Sequence, residues 1–259
     1  MTPKFLFFRS SRIQYHVVGE GEPLLLVHGY QADSRIWEKM VPLLKEHFML
    51  IIPDLPGHGQ SPLIQATNDM DFLADVLYSI ILSGGHSGIS IAGHSMGGYA
   101  AMAFADKYPN LTDRLILLNT HPFEDGMNKM LARNREAEII QEGKKEILLR
   151  NFVQNNFNRS SSNALKEEIQ LATQIALSQP ENGMLADLAG MMARKPRIEL
   201  VQKKRLQADF ILGMADSRIP IKFFEQLNKE LVNIHWLADC GHMSMLEKPA
   251  EVAEIILKL

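Results

Sequence analysis

At 259 residues the chain is long enough to bury a substantial core, either as one large α/β domain or as a core with an insertion. A formal net charge of −3 provides no overall basic field, so neither nucleic acid nor an anionic membrane is expected as a partner. The single Cys240 cannot close an internal disulfide, and no CxxC or Cys/His ligand spacing points to a zinc site or other metal.

That cysteine usage makes the cytosol the expected compartment. The opening MTPKFLFFRSSR has only four consecutive apolar residues, too few for a signal-peptide core or a membrane span, so no targeting segment is expected. Residues 4–9 and 13–18 predict two strands joined by a Ser-Ser turn, and a second turn follows at Gly19-Glu20-Gly21-Glu22-Pro23. Residues 24–27 form a continuous apolar run of the kind a strand covered on both faces requires, and a loop begins at His28-Gly29-Tyr30. From Asp33, a candidate N-cap, Trp37, Met40, Val41 and Leu44 recur at helical spacing. A strand over 48–52 leads into Asp54-Leu55-Pro56-Gly57-His58-Gly59-Gln60-Ser61, a cluster of turn formers. Between its two glycines His58 reads as a loop brace in preference to a catalytic base. Thr67 or Asn68 can cap a helix carrying Phe72, Leu73, Val76, Leu77, Ile80 and Ile81, which Gly84-Gly85 ends.

Residues 89–92 predict a buried strand and 96–107 a helix, with Ser95 at the corner between them. Its frame, Gly93-His94-Ser95-Met96-Gly97, fits G-x-S-x-G. A strand that turns into a helix this abruptly strains the corner residue, and glycines two positions away on either side remove the side chains that would collide. The hydroxyl is then held at a strand's carboxyl end and at a helix N-terminus, where free N–H groups receive negative charge. The strand over 114–118 ends in Asn119-Thr120-His121-Pro122, and the alternation so far implies βαβ units in a parallel sheet, whose ligands gather at the carboxyl ends of the strands.

Residues 121–205 break the rhythm. Four stretches, 127–142, 146–156, 164–178 and 184–192, read as helices with no strand between them. The segment holds 14 Lys/Arg against 11 Asp/Glu, leaving 13 against 19 for the rest; solvated helix faces explain that surplus, and an anionic group on a substrate is the alternative. A strand over 210–212 then resumes the sheet, followed by a helix over 221–231, a strand over 233–237, and a closing helix opened by Pro249. No internal repeat or low-complexity tract is present.

Collected together, the strand ends resemble those of the α/β-hydrolase superfamily, from about residue 24 to the C-terminus apart from the helical insertion. His28-Gly29-Tyr30 resembles the family's HGx after the third strand, Asp54 to Ser61 its DxxGHGxS loop, and GHSMGG its nucleophile elbow. GMADSRIP resembles the acid loop, and GHMSMLEKP the histidine loop with the downstream E-x-P. The chain order Ser95, Asp216, His242 is the order expected of this fold. The resemblance implies a mostly parallel sheet of about eight strands, the second antiparallel, flanked by helices. It further implies a core made of residues 1–120 and 206–259 and an inserted helical cap, 121–205, over the site.

In that setting Ser95 is the candidate nucleophile, His242 the base that takes its proton, and Asp216 the carboxylate that holds the imidazole in one tautomer. The backbone N–H groups of Tyr30 and Met96 are the candidate oxyanion donors, with Gln31 the alternative if the loop register differs. Asn119 occupies a position from which some relatives supply the acid, and it cannot carry a negative charge; Glu124 and Asp125 lie further out, and Asp239 reads as a turn residue. His121 and Met243 are candidate pocket-lining side chains. The expected function is a serine hydrolase acting on an ester, thioester or lactone of a small, mostly apolar molecule through an acyl-enzyme, without a cofactor. A carbon–carbon bond hydrolase, acyltransferase or lyase on the same fold is one alternative, and a non-catalytic small-ligand receptor or scaffold another. Oligomeric state has no signature in the sequence.

Overall fold

Apolar runs with β-branched content set the strands of this protein, and the sheet they form carries every element that reaches the site. The computed structural model describes residues 2–202, 206 and 208–259. The strands are β1 (Thr2–Phe8), β2 (Ser11–Val18), β3 (Glu22–Val27), β4 (Phe48–Pro53), β5 (Ile89–His94), β6 (Thr112–Leu118), β7 (Ala208–Gly213) and β8 (Val232–Leu237). They lie side by side in the order β1-β2-β4-β3-β5-β6-β7-β8. β2 runs antiparallel to both β1 and β4, and the remaining pairs are parallel. The eight-stranded, mostly parallel sheet with an antiparallel second strand, as the resemblance implied, is therefore present. Its central members β3 and β5 are sealed on both faces: Leu24, Leu25, Leu26, Val27, Ile91 and Ala92 have no solvent exposure.

The helices before β6 are α1 (Val41–Leu44), α2 (Met70–Ser83) and α3 (Met96–Lys107). The helix expected from Asp33 is broken into a 3-10 turn, Ser34–Trp37, and the single turn of α1, because Pro42 in the first turn of α1 has no N–H to extend the bonding backwards. Its apolar face survives the break, with Trp37, Met40 and Leu44 buried. Asp69 caps α2, its carboxylate accepting from Phe72 N at 2.9 Å, in place of the expected Thr67 or Asn68. Asn68 is turned away to other partners.

Between β6 and β7, among the described residues, come α4 (Met127–Gln141), α5 (Lys145–Gln154), α6 (Lys166–Ser178), α7 (Glu181–Ala193) and the short α8 (Ile198–Val201), which the sequence reading did not separate. The upper edge expected for this segment, 205, lies outside the described residues. α7 rests directly on loops of the sheet: a Cβ at Gly183 would overlap the Gly57 backbone, and one at Gly190 would overlap Asn68 O. The helix expected over 221–231 is only a 3-10 turn, Ile221–Gln226. Asn228 accepts from Glu230 N at 3.0 Å, a local bond that competes with helix continuation. α9 (Ser244–Glu247) and α10 (Pro249–Lys258) close the chain.

Candidate active site

Ser95 sits between β5 and α3 with φ 51° and ψ −115°, a strained conformation for a residue with a side chain. The surrounding backbone enforces it. A Cβ at Gly93 would run into Gly97 O, and one at Gly97 would strike the carbonyls of Val27, which ends β3, and of His28 just after it, so neither position admits a larger residue. Ser95 N donates to Leu118 O at 3.0 Å and Thr120 Oγ1 donates to Ser95 O at 2.8 Å, fixing the corner against β6.

Asp216 lies on the loop after β7 and His242 on the loop after β8, so adjacent parallel strands deliver both to the same end of the sheet as Ser95. His242 Nε2 is 3.0 Å from Ser95 Oγ, and His242 Nδ1 is 2.8 Å from Asp216 Oδ2. With Asp216 accepting, Nδ1 carries the proton and Nε2 is free to accept from the serine hydroxyl. Three further donors converge on Asp216: Asn119 Nδ2 at 2.9 Å, Arg218 N at 2.7 Å and Ile219 N at 3.1 Å. Burial pushes its carboxyl upward, but His242, Asn119 and the Arg218 N–H outweigh burial and leave it below the usual carboxylate range.

The loop bearing His242 is tied down at several points. His242 N donates to Asn156 O at 2.7 Å, just beyond α5, and His94 Nε2 is 2.9 Å from His242 O. Burial, then the neighbouring His242, depresses His94 to about 3, so it stays neutral and donates from Nε2. The Glu247 carboxylate accepts from Gly241 N and Met243 N, each at 3.0 Å, and from Asn158 N at 2.9 Å. It thereby brackets His242 on both sides and joins its loop to the chain after α5.

Tyr30, Gln31, Ser95, His242 and Met243 line one cleft at this end of the sheet. Met96 is the first residue of α3, where backbone N–H groups lack intrahelical acceptors, and Gln31 at φ 63° turns the chain just after Tyr30. His121 is not among the residues lining that cleft: its Nδ1 accepts from Phe123 N at 3.2 Å, its Nε2 is 3.2 Å from Tyr99 Oη, and its ring stacks on Phe223. Asp125 is held by Arg133 at 2.5 Å and Arg194 at 2.9 Å, while Glu124 and Asp239 are exposed. His58 braces its loop, as expected, with Nε2 3.2 Å from Asp187 Oδ2 of α7 and both side chains fully buried.

Residues that reading the sequence passed over are Asn119, considered only for the charge it lacks, and Glu247, visible in the Glu247-Lys248-Pro249 motif but without an assigned task. Lys129, Arg133, Glu136 and Arg218 also line the cleft. Only the cationic surplus of residues 121–205 hinted at the first two.

The chain belongs to the alpha/beta hydrolase family, whose description matches residues 24–255. Curated relatives in Mycobacterium bovis and Mycobacterium tuberculosis, uncharacterised proteins, are 35% identical over 122 residues, which cover 46% of this chain and 36% of each relative. The match thus spans about a third of those relatives' length. The (E)-2-((N-methylformamido)methylene)succinate hydrolase of Acinetobacter baylyi is 30% identical over 64% of each chain. Among solved structures, a thermophilic esterase from Thermogutta terrifontis, determined with malate bound, superposes with a TM-score of 0.92 at 27% identity, covering 100% of this chain and 97% of the esterase.

Proposed function

We propose that the protein is a serine hydrolase that cleaves an ester, thioester or lactone of a small molecule through an acyl-enzyme on Ser95. The observation that carries this reading is the unbroken line of contacts from Ser95 Oγ to His242 at 3.0 Å and from His242 to Asp216 at 2.8 Å. The similarity to an esterase and to a hydrolase of a substituted succinate supports the same class of reaction.

In this mechanism the Ser95 hydroxyl attacks the substrate carbonyl while its proton passes to His242 Nε2. Asp216, ionised and held by Asn119 and two backbone N–H groups, offsets the imidazolium that forms. The N–H groups of Met96 and Tyr30 receive the oxyanion, the first aided by the N-terminus of α3. His242 then gives its proton to the leaving group, and the acyl-serine forms as the carbonyl–leaving-group bond breaks. Water, deprotonated by the same imidazole, releases the acid and restores the hydroxyl. Residues 1–120 and 206–259 serve as the catalytic core and 121–205 as a cap whose helices wall the cleft.

The test is reaction of the folded protein with a serine-directed fluorophosphonate, with peptide mapping of the adduct. Ser95 is expected to carry the label, and Ser95→Ala to abolish it and to lower kcat for a p-nitrophenyl ester by about 10⁴-fold or more while remaining folded. An unlabelled Ser95 in folded protein would favour the non-catalytic receptor.

A further inference from the structure

The cleft that holds Ser95 and His242 is also walled by three cationic side chains, Lys129 and Arg133 from α4 and Arg218 from the loop after β7. Spacing of four residues puts Lys129 and Arg133 on one face of α4. A single carboxylate, Glu136, shares that wall, and Gln31 Nε2 donates to it at 3.0 Å. Asp125 binds Arg133 but divides itself with Arg194, so one carboxylate serves two guanidinium groups. Arg218 lies over Phe152, its Cζ 3.7 Å from the ring centroid, and its Nε donates to Asn156 Oδ1 at 2.8 Å. Among the described residues, neither Arg218 nor Lys129 forms an ion pair. Four cations, Lys129, Arg133, Arg194 and Arg218, therefore stand against three carboxylates, Asp125, Glu136 and Asp216, the last of them engaged by His242.

Partly desolvated cations without counter-ions are costly, and the strain shows in the titration of this wall. Burial, then Arg133 and Arg218, lowers Lys129 to about 8. Burial raises Glu136 above the usual carboxylate range despite the cations beside it. An incoming anion would offset the positive charge that Lys129 and Arg218 carry without an ion-pair partner.

We propose that this wall is an anion subsite: the substrate carries, besides the bond that Ser95 attacks, a carboxylate or phosphate group that Lys129 and Arg218 bind. The proposal rests on the serine-hydrolase reading, and it narrows the substrate from a mostly apolar ester to an acidic one. Lys129 supplies a point charge and Arg218 a planar fork already oriented by Phe152 and Asn156.

The experiment measures how hexanoate, hexyl phosphate and neutral hexanamide slow the labelling of Ser95 by a neutral fluorophosphonate, in the wild type, Lys129→Gln and Lys129→Arg. One or both anions are expected to protect at a concentration about tenfold lower than the amide, with the stronger of the two identifying the anion's source. Lys129→Gln is expected to lose most of that advantage, and Lys129→Arg to keep it, a rescue that a purely structural role for Lys129 would not give. Equal protection by all three compounds, or an anion advantage unchanged in Lys129→Gln, overturns the subsite while labelling at Ser95 keeps the hydrolase reading intact. No labelling at all overturns both.

Discussion

Asp216 illustrates how individual side chains set the chemistry at this site. It is buried, which alone would favour the neutral acid, yet His242, the Asn119 amide and two backbone N–H groups keep it charged. Asn119 has a second task, donating to Gly241 O at 3.0 Å, so one amide aligns the acid and the backbone next to His242. Asp216→Asn is expected to cost about 10⁴-fold in kcat, because an amide can present the wrong hydrogen-bonding atom to the imidazole. Asn119→Ala removes a hydrogen bond to a charged group, a loss of about 1–3 kcal/mol, so kcat should fall roughly ten- to hundredfold. Steady-state kinetics on a neutral p-nitrophenyl ester checks both; an unchanged kcat in Asp216→Asn would exclude the assigned acid. At this scale the residues of the Ser95, His242 and Asp216 contact line were legible because their motifs are local, whereas the Asn119 contact depends on a partner 97 positions away.

Among the elements, the loop after β8 is the one that geometry alone would leave loose. It has no regular bonding of its own and is held by Glu247 of α9, by Asn156 O beyond α5 and by His94. Glu247→Ala strips the acceptor from three buried N–H groups, each worth about 1–3 kcal/mol when left unsatisfied. The expected outcome is a lower Tm together with slower fluorophosphonate labelling of Ser95, since His242 loses its bracket on both sides. A lower Tm with labelling at the wild-type rate would show that Glu247 stabilises the fold without positioning the imidazole. Element types were readable where a pattern ran long: α3 occupies Met96–Lys107 as its small and apolar residues require. They were misread where Pro42 or Asn228 diverted a short pattern into 3-10 turns, because one local bond decides a helix of so few residues.

Over the whole molecule, the helices between β6 and β7 are fastened to the sheet at a buried polar joint. Asp187 of α7 meets His58 at 3.2 Å and accepts from Asn68 Nδ2 at 2.7 Å, while Asn68 Nδ2 also donates to Pro56 O at 2.8 Å. Burial lowers the His58 pKa, but Asp187, the Pro56 carbonyl and Asp33 together raise it by more, leaving it above the usual histidine value. A histidine so raised contributes its full stabilisation below the unfolded value of about 6.5 and loses it as pH climbs through the folded value. His58→Gln should therefore destabilise by roughly 3–5 kcal/mol in mildly acid solution and by less in alkaline solution. His94 and His121, each depressed to about 3 chiefly by burial, carry the opposite dependence, but they are common to both proteins and drop out of the difference. Thermal denaturation across pH checks this, and a His58→Gln deficit that does not shrink as pH rises from about 6 to about 9 would contradict the charged joint. Among the described residues no helix is long and apolar enough to cross a membrane. The sequence by itself determined the sheet, the family and the three residues of the contact line, because strand periodicity and the turn chemistry at Gly93, Ser95 and Gly97 are short-range constraints written in adjacent positions. Only the tertiary structure decided that His121 stands aside from the cleft, that Asn119 and Glu247 hold the acid and histidine loops, and that Lys129, Arg133 and Arg218 gather around Ser95. Those outcomes depend on how helices distant in the chain dock over the strand ends, and a docking angle is set by packing across the whole interface, which no local pattern records.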